Sequence, residues 1–127
     1  MATAIEQFAP NVRTLDIVPG AGWNLIAADG SLYPTYAAFL ASGKKAWPGL
    51  DAPGWVQFFS IRSAASGGQG DGSGFSFAYN LYATPTNTAN SRYVSGGGQT
   101  LNQPGPLNNI WVNPSAASDV IQIQVGW

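Results

Sequence analysis

The sequence predicts an all-β protein, an antiparallel β-sandwich of jelly-roll-like character with roughly seven or eight strands and one short helix near residues 34–42. Three observations carry that expectation. Apolar residues recur at every second position in several runs, the spacing by which a strand places one row of side chains on a buried face. Gly (16) and Pro (9) punctuate those runs at short intervals, as turns between strands do. Aromatic residues make up 13% of the chain and charged residues only 9%. There is thus material for a core, under a surface of neutral amides and hydroxyls or of neighbouring subunits.

Taken in order, residues 1–10 hold isolated Ile5 and Phe8 ahead of Pro10 without a period, and read as an N-terminal arm, packed on a neighbour or frayed. Residues 11–127 then suffice for a single β-sandwich domain. In residues 12–18, Leu15 and Ile17 alternate with Thr14 and Asp16, which predicts a first strand. The turn signal PGAG follows, and residues 23–27 make a second strand with Trp23 and Leu25 on one side, ended by Asp29 and Gly30. Tyr36, Phe39 and Leu40 stand at helical spacing, with Pro34 suited to a first turn and Gly43 to a C-cap. Lys44 and Lys45 lie just beyond, where a helix dipole favours cations.

Residues 47–55 form a double Pro-Gly turn with a Trp at each end. The run WVQFFSI, residues 55–61, is apolar on both faces, which fits a central strand or one interrupted by a bulge. Residues 66–74, SGGQGDGSG, read as a mobile loop or hairpin tip, because ordering Gly costs the most backbone entropy. Phe75, Phe77, Tyr79, Leu81 and Ala83 give the longest alternating run and predict one strand over 75–83. Turns are expected over 85–90 and 96–98, with a short strand at 92–95 between them. A strand over 107–113 lies between Pro106 and Pro114, and DVIQIQVGW closes the domain. In that last run Ile121, Ile123, Val125 and Trp127 are expected in the core.

The composition narrows the chemistry. With no His and no Cys, the commonest general base, the thiol nucleophile and most transition-metal ligands are missing. One Glu and five dispersed Asp give no motif for a carboxylate pair, so a non-enzymatic protein without cofactor or metal is expected. The Gly-rich loop lacks the Lys-Ser/Thr ending of a phosphate loop, and it approaches a calcium-binding repeat only once, with Asp71 a residue early. Five scattered cations and a net charge of -1 argue against a nucleic-acid partner. The longest apolar run, residues 36–41, is too short to cross a bilayer, so no membrane partner is expected. MATAIEQFAP lacks a basic region followed by an apolar run, which reads as synthesis in the cytoplasm without an export signal.

Two pairs of residues are candidate contacts. Trp47 and Trp55 can stack on a sugar ring or dock on a protein partner, since Trp is enriched at binding hot spots. Alternatively both rings cover the end of the sandwich, a reading favoured for Trp55 because it begins a strand. Gln122 and Gln124 lie opposite the core face of the last strand and are a candidate assembly face, turned to water or to a neighbouring subunit.

The segment LNNIWVNPSAASDVIQIQVGW resembles the C-terminal end of small virion structural proteins of tailed bacteriophages, in which a Leu-Asn-x-Ile-aromatic-Val strand, a short Ser/Ala/Gly turn and an alternating terminal strand recur. VQFFSIRSAAS and FSFAYNLYATPTNTANSRYVSGGGQTL are similar to the preceding strands and Asn-rich turn of that family. The 47–55 loop and the helix before it have no counterpart in the pattern. The resemblance implies a small β-sandwich or jelly-roll subunit that decorates and cements a capsid shell, or belongs to a head fibre or tail. It implies the major capsid protein or other virion proteins as partners and a virion location after synthesis in the host cytoplasm; homo-oligomers are expected because exposed sheet edges need covering and few edge charges are available to protect them. A carbohydrate-binding β-sandwich using Trp47, Trp55 or tyrosines is the alternative.

Overall fold

In the computed structural model, which describes residues 11–50, 54–86, 90–96 and 105–127, the alternating runs form ten strands and one helix. The first part of the chain gives β1 (Val12–Ile17), β2 (Asn24–Ile26), β3 (Leu32–Tyr33) and the helix α1 (Tyr36–Ser42). Then come β4 (Gly54–Val56), β5 (Phe58–Ala64), β6 (Gly74–Tyr79) and β7 (Arg92–Ser95). The chain closes with β8 (Gly105–Leu107), β9 (Ile110–Pro114) and β10 (Val120–Gly126). All their pairings are antiparallel. One sheet has the order β1-β10-β5, a second the order β3-β2-β9-β6-β7, and β4 pairs with β8. The expected all-β, sandwich-like arrangement is present, in more and shorter strands than seven or eight. The expected arm at 1–10 and the greater part of the turn at 96–98 lie outside the described residues, as do 51–53 and 87–89.

The extra strands have local causes. WVQFFSI breaks at Gln57, whose N–H donates to the Gly126 carbonyl at 2.7 Å. Trp55 thereby falls in β4, while Phe58 to Ala64 pair with β10 at the edge of the three-stranded sheet, so the central-strand reading gives way to the interrupted one. The run over 75–83 stops at Tyr79 because Asn80 adopts φ 60°, a left-handed conformation that Asn tolerates better than most residues. Leu81 therefore leaves the strand and packs beneath the helix. The expected strand over 107–113 likewise divides at Asn108 and Asn109 into β8 and β9.

Side-chain parity then builds two apolar layers. Ile121, Ile123 and Val125 of β10 and Phe59 and Ile61 of β5 meet Phe75, Phe77, Ile110, Val112 and Ile26 of the five-stranded sheet in the main core. Leu15, Ile17 and Trp127 pack at its margin, as the alternation in their strands predicted. The opposite parity of the five-stranded sheet supplies Leu25, Ala78 and Trp111, which Phe39 of α1 covers. The Trp111 indole N–H donates to the Leu81 carbonyl at 3.0 Å, so this ring is buried without an orphaned donor. Thr35 caps the helix, its hydroxyl accepting from the Ala38 N–H at 3.1 Å, and Gly43 closes it at φ 70°. Pro34 stands one residue before that cap rather than in the first turn.

Candidate assembly surface

The outer face of the three-stranded sheet is built by the residues between the core positions. Cross-strand register places Thr14, Gln124 and Ser60 in one row and Asp16, Gln122 and Arg62 in the next. The first row is neutral amide and hydroxyl; the second sets an amide between a carboxylate and a guanidinium. Both candidate glutamines therefore lie together on one outward face. At the end of this face the Phe58 ring covers Gly126, where there is no room for a Cβ.

The two glutamines differ in their attachments. The Arg62 guanidinium donates to the Gln122 side-chain oxygen at 2.5 Å, and the Gln122 amide donates to the Gly68 carbonyl at 3.2 Å. Arg62 also donates to the Gly70 carbonyl at 3.3 Å and lies 4.0 Å from the Asp71 carboxylate. The 66–74 loop, expected as a free tip, is thus fastened to the sheet face through its backbone carbonyls. Gln122 is occupied in holding it, while Gln124 is exposed. At the base of the loop the buried Asp119 carboxylate (residue 4% exposed) accepts from the Ser73 N–H at 2.6 Å, and the Ser63 hydroxyl accepts from the Gly74 N–H at 3.2 Å. These bonds fix the crossing from one sheet to the other.

The covering role that the sequence favoured for Trp55 falls to Trp47, for which the sequence left cover and contact open. Trp47 is 2% exposed and lies in the main core, with its backbone N–H on the Ile26 carbonyl at 3.0 Å. It cannot meet a sugar or a partner there. Trp55 is 60% exposed, because Val56 beside it turns inward and strand parity turns Trp55 outward, opposite Pro106 of β8. Only Trp55 of the pair is available for contact.

A cleft of about 320 Å³ lies between α1, the segment after it and the Asn108 corner, lined by Tyr36, Lys45, Leu50, Tyr82 and Asn108 among others. The Tyr36 and Tyr82 rings meet edge to face at 5.4 Å, and the Asn108 amide donates to the Tyr82 hydroxyl at 3.2 Å. On its rim Lys44 forms an ion pair with Asp29 at 2.8 Å and donates to the Ser31 hydroxyl at 2.9 Å. Hydrogen bonding to Lys44, then to the Ser31 N–H and hydroxyl, holds the Asp29 carboxyl well below the usual carboxylate range. The same contact raises the Lys44 ammonium above its ordinary value. The cation that sequence position assigned to the helix dipole is therefore held by a carboxylate in the preceding turn.

The sequence reading missed Thr14, Asp16, Ser60 and Arg62 on the sheet face and Tyr36, Tyr82 and Asn108 in the cleft. Alternation within residues 12–18 set Thr14 and Asp16 opposite Leu15 and Ile17, but the run at 55–61, apolar on both faces, gave no direction for Ser60 and Arg62, and which strands flank β10 was a further absent signal. Among the described residues no group of three or more His, Cys, Asp or Glu is placed to hold a metal, and no helix is long and apolar enough to cross a membrane. Comparison with protein-family models, curated proteins and solved structures gave no match.

Proposed function

We propose that this chain is a non-enzymatic virion structural protein of a tailed bacteriophage, a capsid decoration subunit that stabilises the shell by contacts at subunit junctions. The observation that carries the reading is the neutral row in which Thr14 and Gln124 are exposed and Ser60 is buried at the β5 end, on a β-sheet that β10 fastens to the core. That row can be desolvated against a partner without stripping water from a charge of its own, the costly part of burying polar surface, while Asp16 and Arg62 in the next row stand at its margin. Each amide or hydroxyl then adds roughly 0.5–1.5 kcal/mol where it meets a complementary group. The similarity of the C-terminal segment to phage virion proteins supports the virion setting, with the major capsid protein as partner and synthesis in the host cytoplasm. Mass spectrometry of purified particles tests the proposal: the chain is expected in many copies on the head, and its absence from particles overturns the reading. Its presence only with fibre or tail proteins moves the role there.

A second reading, carbohydrate binding, draws on the cleft beside Tyr36 and Tyr82 and on the exposed Trp55 ring. Aromatic faces and a flanking Asn amide are the groups that take the CH faces and hydroxyls of a sugar. A glycan array on which Tyr82→Ala removes binding supports this reading; no bound glycan with the wild-type chain removes it.

A further inference from the structure

Strand β1 is the outermost strand of its sheet, paired with β10 on one side and, among the described residues, with no strand on the other. Asn11 and Trp127 exchange both backbone hydrogen bonds, at 3.0 and 2.9 Å, which sets the phase of the ladder. Hydrogen-bonded positions alternate in an antiparallel pair, so Arg13, Leu15 and Ile17 direct their N–H and C=O groups to β10. Those of Val12, Thr14 and Asp16 point away from the sheet, along its edge. Edge strands that stay solitary are usually blunted by Lys, Pro or a bulge. Residues 12–18 contain neither Lys nor Pro; of their two charges, Arg13 is held at the Pro48 carbonyl and over the Trp127 ring and Asp16 faces outward, and Val12 and Val18 are 53% and 56% exposed.

We infer that β1 pairs antiparallel with β1 of a second copy of this chain, about a two-fold axis passing through Leu15. The axis follows from symmetry and from charge. A two-fold perpendicular to the sheet keeps outward side chains outward, so facing residues must share the same parity. An axis through Arg13 sets Arg13 against Arg13, and one through Asp16 sets Asp16 against Asp16; like charges directly opposite oppose pairing. An axis through Thr14 sets Asp16 against Val12. The axis through Leu15 sets Val12 against Val18 and Thr14 against Asp16 on both sides of the dyad. The hydroxyl then donates to the carboxylate, and the two exposed valines cover each other. The outward N–H and C=O groups of the even-numbered residues fall in hydrogen-bonded register in the same arrangement.

This pairing is a property of the isolated chain and does not depend on a place in a virion. Because the chain has no Cys, disulfide trapping reads the register directly. Full-length Val12→Cys and Val18→Cys proteins are mixed and oxidised in dilute solution. A disulfide-linked dimer is expected from the mixture and not from either variant alone, since like positions then stand roughly 20 Å apart along the paired strands, beyond disulfide reach. No dimer from the mixture, or equal dimer from the single variants, overturns the inference. Val18→Lys, at an exposed position, is expected to weaken self-association of the wild-type sequence at least about tenfold by sedimentation velocity. Unchanged association also overturns it. Absence of the chain from particles would contradict the virion role and leave both of these results as they are.

Discussion

Gln122 accepts a hydrogen bond from Arg62 at 2.5 Å on the outer sheet face, and through its own amide it holds the Gly68 carbonyl at 3.2 Å. A loop rich in glycine is thereby ordered by side chains of the sheet rather than by its own. Gln122→Leu removes both bonds, so the amides of residues 67–70 should exchange hydrogen faster and stability should fall by about 1–2 kcal/mol. Hydrogen exchange with chemical denaturation measures both. Gln124→Leu, on the same face but away from the loop, should leave the exchange of these amides unchanged.

Asp119 fastens the other end of that loop. The buried carboxylate accepts from the Ser73 N–H at 2.6 Å, and a hydrogen bond to a charged group typically contributes about 1.5–3 kcal/mol. Asp119→Ala should therefore lower unfolding free energy by about that amount. Asp119→Asn keeps an acceptor in place and should cost less. Denaturant midpoints of the three proteins decide the order.

The corner after β6 rests on Asn80. Its side-chain oxygen accepts from the Asn108 N–H at 2.6 Å, its amide donates to the Pro106 carbonyl at 2.9 Å, and its backbone stands at φ 60°. Asn80→Ala loses the two bonds and places a Cβ residue without local support in the left-handed region, for an expected loss of about 2–4 kcal/mol. Asn80→Gly loses the bonds but not the backbone geometry, and should be the milder change. Thermal unfolding of both variants tests this.

The Asp29–Lys44 pair sets a pH dependence with a definite sign. The Asp29 carboxyl is lowered in the folded chain, so its contribution is present above the unfolded value of about 3.9 and is lost as pH falls through the folded value. Lys44 is raised, so its contribution is present below the unfolded value and lost as pH rises through the folded one. Both groups face solvent, which keeps the effect on stability small. Carboxyl-carbon NMR should show Asp29 titrating below an ordinary Asp, and Lys44→Met should move it back upward.

Much of the fold was legible because period-2 alternation is a local property. Ile121, Ile123 and Val125 took their core positions for the reason their spacing gave, and the helix Tyr36–Ser42, capped by Thr35 and Gly43, lies near its expected bounds. What escaped were changes of direction inside a run. Gln57 and Asn80 each break a strand by a backbone turn whose partner lies far along the chain, at Gly126 for one and Asn108 and Asn109 for the other. Those breaks decide which side chains face water, and so they sent Trp55 outward and Leu81 beneath the helix. Trp47 is buried through a backbone bond to Ile26, a contact that no spacing in its own loop announces.

Gln124 is where the assembly reading is most exposed to test, because it is the exposed amide at the centre of the neutral row and holds no loop. Gln124→Arg places a charge and a longer side chain there without touching the core, and desolvating such a charge against a partner is unfavourable. Particles are purified from a phage carrying the variant, and the copy number of the chain is compared with wild type. A variant with wild-type thermal stability, reduced at least about tenfold in the particle, is the predicted result. Wild-type copy number in particles carrying folded Gln124→Arg would contradict the use of this face in assembly.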